Sequence, residues 1–287
     1  MTNHRALRDD AANWAARYAT VRNIGRYLGR PAMAATTEAL WRRRQARDLA
    51  LAFADRCAPR GATVVDVGAS WGLFTYHLAH RVGTSGRVYS FEPHPMNAPM
   101  LSRLAAARPH VHFSPSAVSD APGHAQLQVP RQQSRLVTAQ ASLSHGFDGQ
   151  GVDVETIDVA TVRLDDAIDV DVDFVKIDVE GHELSVLRGG ASLFRRSGPS
   201  ILIEIEQRHL SAPIGGVFAE LEALDYQVFY VTPTALRPIA EFDVERDQMS
   251  MVRSGEFHPF AMPDGYVHDF CAVRRPESLA GLPVAWS

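Results

Sequence analysis

The feature that most constrains this chain is an apolar run that ends in a turn with two glycines. Residues 63–75 read TVVDVGASWGLFT, so a strand-like run reaches Asp66, and Gly68 and Gly72 precede helix-like sequence. A strand, a glycine turn and a helix in this order are typical of nucleotide-binding α/β domains, where glycines let the backbone approach the ligand. The segment therefore predicts a domain of this kind.

An acidic residue after the next apolar run narrows the choice of ligand. Residues 87–91 form that run and Glu92 follows it, where a carboxylate can hold ribose hydroxyls. The dinucleotide fingerprint G-x-G-x-x-G is incomplete, because Ser70 and Leu73 occupy its second and third glycine positions. We therefore expect a nucleoside. Two alternatives remain: an NAD-dependent oxidoreductase on a related sheet, and glycines that only shape an ordinary strand–helix turn.

Composition disfavours several classes of protein. The 287 residues are 46% hydrophobic, enough for one large domain with an extension. A net charge of -4 gives no broad attraction to nucleic acid, so no nucleic-acid partner is expected. Cys57 and Cys271 stand far apart and form no C-x-x-C pair, which indicates reduced thiols. With no long apolar span or leader-like segment, we expect a soluble, cytoplasmic protein without a transmembrane segment.

The chain divides into an N-terminal extension and a main domain. Residues 1–48 are rich in Ala and Arg with apolar residues at helical spacing, which predicts a helical extension that packs on the main domain. A substrate lid, a membrane-surface helix and a homodimer arm are the alternatives. In residues 49–287, strands and helices alternate, which predicts an α/β, Rossmann-like, mostly parallel sheet of seven strands with helices on both faces. The predicted strands are 63–67, 87–91, 111–114, 173–178, 200–206, 227–231 and 270–274.

An insertion separates the third and fourth predicted strands. Residues 117–172 contain several glycines and alternating apolar and polar segments, which predict an added hairpin or small antiparallel flap. Long insertions inside compact domains are usually functional. We expect this one to select the substrate.

Charged side chains occur on strands that should be apolar. Period-2 geometry places Lys176, Asp178 and Glu180 on one side of the fourth strand, and Glu204 and Glu206 share a face of the fifth. Ligands of doubly wound sheets bind at the carboxyl ends of the strands, where these charges lie. The pattern indicates either buried ion pairs or a cleft.

Both explanations apply to particular residues. A buried salt bridge between Lys176 and Glu204 accounts for that pair as well as a site role does. Asp178 is the stronger functional candidate, because it lies where its strand opens beside the expected ligand. His182 and His209 are candidate proton acceptors, although an isolated histidine is often an ordinary surface or core residue.

Four segments together carry a family resemblance. Residues 65–72, 91–93, 162–166 and 176–183 read VDVGASWG, FEP, VRLDD and KIDVEGHE, and they resemble the FkbM family of S-adenosylmethionine-dependent methyltransferases. The resemblance implies a class I methyltransferase fold. It also implies methyl transfer to a hydroxyl of a sugar, glycolipid or secondary metabolite. Ser70 departs from the usual Asn of the family, but both residues can cap a helix.

The resemblance also implies roles for individual residues. Glu92 would bind the ribose hydroxyls and Asp120 would lie near the adenine, whereas Asp178, Glu180 and His182 would border the transferred methyl group as catalytic residues. The residues implied to bind S-adenosylmethionine are Asp66, Gly68, Ala69, Ser70, Gly72, Glu92 and Asp120.

The expected chemistry needs a base rather than a new leaving group. The sulfonium already leaves easily, so the protein must align the reactants and remove the hydroxyl proton. Asp178 or His182 would act as base. A divalent cation is the other route, and the oxygens of Asp178, Glu180 and Glu204 suit magnesium. No metal motif of fixed spacing is present in the sequence, so we favour a metal-free base.

The acceptor is not encoded in a readable motif. We expect a small molecule or a glycan, and the sequence does not discriminate oxygen from nitrogen as the methylated atom. A non-catalytic binding module of the same fold is disfavoured, because Asp66, Gly68, Gly72, Glu92 and Asp178 are all present.

Overall fold

The computed structural model describes residues 48–132, 135–136, 141–143, 153–254 and 263–285. The predicted N-terminal extension, residues 1–48, lies outside the described residues except for Asp48. The strands are β1 Thr63–Val67, β2 Arg87–Phe91, β3 Val111–Ser114, β4 Ala117–Val118, β5 Gly123–Gln132, β6 Arg135–Leu136, β7 Asp153–Val162, β8 Phe174–Ile177, β9 Ser200–Glu204, β10 Gln227–Val231, β11 Leu236–Pro238 and β12 Asp269–Val273. The α-helices are α1 Leu49–Cys57, α2 Leu73–Val82, α3 Ala98–Ala107, α4 Leu164–Ala167, α5 Glu183–Gly189, α6 Ala191–Ser197, α7 Gly215–Ala223 and α8 Ser250–Arg253.

The central sheet has the strand order β11-β10-β12-β9-β8-β1-β2-β3. The ladders from β9 to β3 are parallel, whereas β12 runs antiparallel to β9 and β10. The predicted α/β, mostly parallel, Rossmann-like fold is thus confirmed. The sheet has eight strands because β11 pairs with β10. With three residues ending in Pro238, β11 is too short for alternation to reveal it.

Apolar side chains cover both faces of this sheet. One face buries Phe194, Phe218 and Phe270 among residues from α5, α6 and α7. The other face buries Phe53 and Phe174, whose rings meet edge to face with centroids 6.3 Å apart. Parallel strands need cover on both faces, and these two apolar layers provide it. Mainly the ends of the strands therefore stay accessible.

Two strands end earlier than predicted, and this affects the site. β8 ends at Ile177 and β9 ends at Glu204, so Asp178 and Glu206 lie in the loops that follow. The chain leaves the β8 ladder after the Asp178 N–H donates to the carbonyl of Val67 at 3.0 Å. The charged residues of the sequence pattern therefore lie on turns beyond the carboxyl ends of the strands.

The insertion forms a second, smaller sheet with the order β4-β7-β5-β6. Its long strands β5 and β7 run antiparallel, in register from Gly123 opposite Thr161 to Arg131 opposite Asp153. Leu127 and Val129 are buried in its small core. The segment predicted as a hairpin or antiparallel flap therefore contains an antiparallel pair, and we call residues 117–162 the flap.

Candidate functional site

The glycine turn between β1 and α2 touches the turn after β8. Gly68 has a φ of 78°, and a Cβ atom added there would lie 1.8 Å from the carbonyl oxygen of Asp178. No side chain fits in that space, so glycine is required for this approach. Gly72 also has a positive φ, but its added Cβ would meet Leu101 Cδ2 at 2.7 Å. Gly72 therefore serves packing against α3.

A cavity opens between these two turns and the flap. Residues 116–118, before and within β4, form one wall, and Leu127, Ala141 and Leu143 of the flap form another. The predicted site residues that line it are Gly68, Ser70, Glu92, Asp178, Glu180 and His182. Those predicted for the site that do not line it are Asp66, Ala69, Gly72 and Asp120. The structure thus brings residues from three separate sequence segments to one cavity.

Glu92 is buried at the cavity edge and is fixed by backbone donors. Its Oε2 accepts from the Ser70 N–H at 2.7 Å, and its Oε1 accepts from the His94 N–H at 2.8 Å. Burial raises the pKa of Glu92, and the two backbone hydrogen bonds partly offset this effect. Each carboxylate oxygen can accept a further hydrogen bond. Ser70 contributes through its backbone, since the N-cap of α2 is Gly72 and no side-chain cap is seen in this described segment.

Asp66 lies beneath the glycine turn and is fully buried. Its Oδ2 accepts from the Thr75 hydroxyl at 2.6 Å, and Thr75 contacts the hydroxyl of Ser90 at 3.0 Å. Burial raises the pKa of Asp66, although nearby Lys176 opposes the shift. The N–H groups of the turn above, at Gly68 and Ala69, both donate to the Phe91 carbonyl at 3.0 Å. The Asp66 side chain thus links the end of β1 to helix α2 through Thr75.

Asp178 is paired with Lys176 at the cavity edge. The Nζ of Lys176 lies 2.7 Å from Oδ2 of Asp178 and 5.5 Å from the ring centroid of Phe74. Lys176 thus pairs with Asp178, which lies on the same side of the chain, and not with Glu204, which was one of the two explanations considered for that pair. Burial lowers the pKa of Lys176, but the carboxylates of Asp178 and Asp66 outweigh it and raise that pKa above its ordinary value.

His182 is the N-cap residue of helix α5 and lines the cavity. Its Nε2 lies 2.9 Å from the hydroxyl of Ser119, which donates to Oδ1 of Asp120 at 3.2 Å. Burial lowers the pKa of His182, so the imidazole is neutral near pH 7. Asp120 is exposed, and its link to the cavity runs through Ser119 and His182.

Comparison with known proteins decides the family. Residues 66–228, more than half of the chain, match the Methyltransferase FkbM domain. The chain belongs to the FkbM family of methyltransferases. This match confirms the family resemblance stated above.

Several solved structures are similar to this FkbM chain at low sequence identity. An FkbM methyltransferase from Methylobacillus flagellatus KT is 18% identical, with a TM-score of 0.46 over 74% of this chain and 43% of that one. Aeropyrum pernix fibrillarin with natively bound S-adenosyl-L-methionine is 13% identical, with a TM-score of 0.41 over 75% of this chain and 67% of that one. A precorrin-6y C5,15-methyltransferase from Geobacter metallireducens GS-15 is 12% identical, with a TM-score of 0.41 over 86% and 89%.

The sequence has no match among curated proteins. Across the described residues, no helix combines the length and apolar character that crossing a bilayer requires.

His209 of this FkbM domain is held between two glutamates. Its Nε2 lies 2.9 Å from Oε2 of Glu180 and 3.5 Å from Oε1 of Glu206. Burial lowers the pKa of His209, but these two carboxylates outweigh it and raise the pKa to about 9. The imidazole is therefore protonated near pH 7, which removes His209 from the candidate bases at that pH.

Two groups of side chains have metal-ligand chemistry. Glu180, Glu206 and His209 form one, and Glu204, His268 and Asp269 form the other, with the ligand atoms of each group within 4.8 Å of one another. Asp178, Glu180 and Glu204, considered together in the sequence analysis, do not form one such group among the described residues.

Each of the two groups has a feature that disfavours a bound cation. In the first group, Glu206 already accepts two hydrogen bonds from the guanidinium of Arg208, at 2.7 and 2.6 Å. A neighbouring positive charge disfavours a metal ion there. In the second group, burial and nearby Asp178 raise the pKa of Glu204 to about 8. The carboxyl of Glu204 is therefore largely protonated at neutral pH.

Some residues of the site gave no signal in the sequence. Tyr266 donates to Oε2 of Glu206 at 2.5 Å although 60 residues separate them. Ser142 of the flap donates to the Glu180 carbonyl at 2.5 Å across 38 residues. For Ser119, the only signal in the sequence is its position next to Asp120. Contacts over such separations depend on the tertiary fold and leave no local pattern.

Proposed function

We propose that this FkbM methyltransferase binds S-adenosylmethionine in the cavity and transfers its methyl group to a hydroxyl oxygen of a sugar, glycolipid or secondary metabolite. The observation that carries the proposal is the contact between Gly68 and the Asp178 carbonyl. It joins the glycine turn, the carboxylate of Glu92 and the turn after β8 around one cavity. A nucleoside carrying a reactive group fits that combination of walls.

We assign each part of the cofactor to residues of the cavity wall by the chemistry of those residues. Glu92 has acceptor capacity left for ribose hydroxyls, since each of its oxygens now takes one backbone hydrogen bond. Gly68 and Ser70 would lie against the methionine part, and residues 116–118 against the adenine. Asp66 would act indirectly by holding the turn, and Asp120 would act through Ser119.

Asp178 is the base that we propose for the reaction. Bound S-adenosylmethionine would supply a methyl group on a sulfonium that leaves as the thioether, and the Asp178 carboxylate would take the proton from the acceptor hydroxyl as its oxygen receives that group. Lys176 fixes the position of that carboxylate, with its Nζ 2.7 Å from Oδ2. General-base help of this kind is typically worth about 10²–10⁴-fold. The neutral imidazole of His182 is the second candidate, although Ser119 already occupies its Nε2.

The proposal does not require a divalent cation. Lys176 already supplies a positive charge beside Asp178, and Arg208 does so beside Glu206. If a cation participates, Glu204, His268 and Asp269 are the side chains that would hold it. Stimulation of methyl transfer by magnesium, abolished by EDTA, would contradict a metal-free base.

The acceptor is assigned to the side of the cavity that the flap covers. Leu127, Ala141 and Leu143 of the flap line it, and loops of this kind vary in shape to suit a substrate. We therefore propose that the insertion, residues 117–172, selects a small molecule or glycan as acceptor.

The proposed function can be tested in two steps. Calorimetry should give saturable binding of S-adenosylmethionine at one site, and thermal shift should show stabilisation by this cofactor but not by NAD. Labelled S-adenosylmethionine, incubated with fractionated cell extract and the protein, should then label a hydroxyl-bearing product. Binding of NAD in preference to S-adenosylmethionine would refute the proposal.

A further inference from the structure

The side chain of His209 does not line the cavity but contacts Glu180, which does. His209 follows β9 in the short turn Gln207–His209, and its side chain is only 4% exposed. Of its two carboxylate partners, Glu180 at 2.9 Å also lines the cavity, and Glu206 at 3.5 Å lies deeper, with a side chain 2% exposed. Changes at His209 should therefore reach the cavity through Glu180.

The side chains around His209 form one network of contacts. Burial raises the pKa of Glu206, but contacts with His209 and Arg208 outweigh it and hold that pKa far below its ordinary value. Tyr266 also donates to Glu206. Burial raises the pKa of Glu180, and the contact with His209 opposes this shift. His209 therefore joins Glu180 at the cavity to the buried contacts of Glu206.

The backbone of the same turn is also packed on His209. Glu180 has a φ of 52°, which side chains rarely adopt, and Gly181 has a φ of 101°. A Cβ atom added at Gly181 would lie 2.3 Å from the His209 carbonyl oxygen. From the flap, the Ser142 hydroxyl donates to the Glu180 carbonyl at 2.5 Å. A strained backbone persists only when its surroundings hold it. Here the His209 carbonyl and the Ser142 hydroxyl both hold the turn.

We propose that His209 is a positioning residue, whose side chain holds the Glu180 carboxyl at the cavity wall and thereby supports binding of S-adenosylmethionine. This inference rests on the proposed function. The cofactor carries a positive sulfonium, so a carboxyl oxygen held at the cavity wall favours its binding. The ionisable groups that face Glu180, Glu206 and His209 are Asp178, Glu183, Arg208, Tyr266 and His268.

A double-mutant cycle tests whether His209 acts through Glu180. Affinity for S-adenosylmethionine is measured by calorimetry for wild type, His209→Gln, Glu180→Gln and the double variant. Each single change should weaken binding about tenfold, as expected when a group that orients a site residue is lost. The double variant should be no weaker than Glu180→Gln alone. Additive losses would indicate a general structural role and would overturn the proposal.

The control variant is His124→Gln. His124 forms the same kind of pair, with Asp158 at 2.7 Å, but both side chains are exposed on the flap. The affinity of His124→Gln for S-adenosylmethionine should equal that of wild type. If His209→Gln does not fold, Glu180→Gln still tests the proposal, because full affinity in that variant would overturn it.

The outcomes also separate this inference from the proposed function. A wild-type protein that does not bind S-adenosylmethionine contradicts the proposed function itself. Wild-type binding with unchanged affinity in His209→Gln contradicts only the positioning role. Binding that depends on added magnesium and is lost in His209→Gln would show that the cluster holds a metal ion, which would also overturn it.

Discussion

The Nζ of Lys176 lies 2.7 Å from Oδ2 of Asp178, at the edge of a cavity that Gly68 and Glu92 also line. This pairing places an ammonium beside the carboxylate that we propose as base. The Lys176 side chain is 14% exposed and that of Asp178 is 29% exposed, so Asp178 is the partner more accessible to an acceptor.

Replacing Asp178 by Asn should separate catalysis from binding. Asn keeps the shape of the side chain and loses its charge, so methyl transfer should fall by about 10² or more, while affinity for S-adenosylmethionine stays within a few-fold of wild type. The measurements are product formation from labelled cofactor and calorimetry. The control is Asp158→Asn. Asp158 is an exposed residue of the flap, so this variant should match wild type in methyl transfer and in affinity. Full activity in Asp178→Asn would reject Asp178 as the base.

Gly68→Ala should disrupt the site and the fold. The added Cβ would lie 1.8 Å from the Asp178 carbonyl oxygen at a positive φ, so the two turns must separate. We expect a loss of about 2 kcal/mol or more in the free energy of unfolding, measured by denaturant titration. Gly215→Ala is the matched control, because its added Cβ meets nothing within 4 Å. Equal stability of the two variants would show that the turns can part freely.

Glu92→Ala should weaken cofactor binding. The change removes the acceptors proposed for the ribose hydroxyls, and hydrogen bonds to a charged group are worth about 1.5–3 kcal/mol each. We therefore expect affinity to fall at least tenfold in calorimetry. A denaturation curve must accompany this measurement, since the N–H groups of Ser70 and His94 also lose their acceptor. Exposed Glu222 supplies the control, Glu222→Ala. Unchanged affinity in a folded Glu92→Ala protein would refute the ribose role.

Glu183 should make stability depend on pH. Its side chain is buried and accepts from the Gly181 N–H at 2.8 Å, and burial raises its pKa from 4.5 to about 7. The folded state therefore binds a proton that the unfolded state has released, so stability falls as pH rises from about 4.5 to about 7. Glu183→Gln should lose this dependence and exceed wild type at pH 8 by about 3 kcal/mol. Parallel pH profiles for the two proteins would contradict the assignment.

Local sequence patterns predicted the parts of the molecule that depend on neighbours in the chain. The strand before Gly68, the strand before Glu92 and the mostly parallel sheet follow from apolar runs and turn residues, which act over a few positions. The positions of Gly68, Glu92 and Asp178 at one cavity follow from the rule that ligands bind at the carboxyl ends of parallel strands.

Contacts between distant segments could not be predicted in the same way. Alternation placed Lys176 on the same side as Asp178 but also left a pairing with Glu204 open, and only the structure shows that Lys176 pairs with Asp178. The contact of Tyr266 with Glu206 depends on β12 lying beside β9. Such pairings follow from the packing of the whole sheet, which period-2 geometry alone does not specify.

A structure of the full-length chain crystallised with S-adenosylmethionine tests the central claim most directly. We expect the ribose hydroxyls within hydrogen-bonding distance of Glu92 and the transferable methyl group directed toward Asp178. A cofactor found elsewhere, or one in this cavity with its methyl group pointing away from Asp178, would contradict the account.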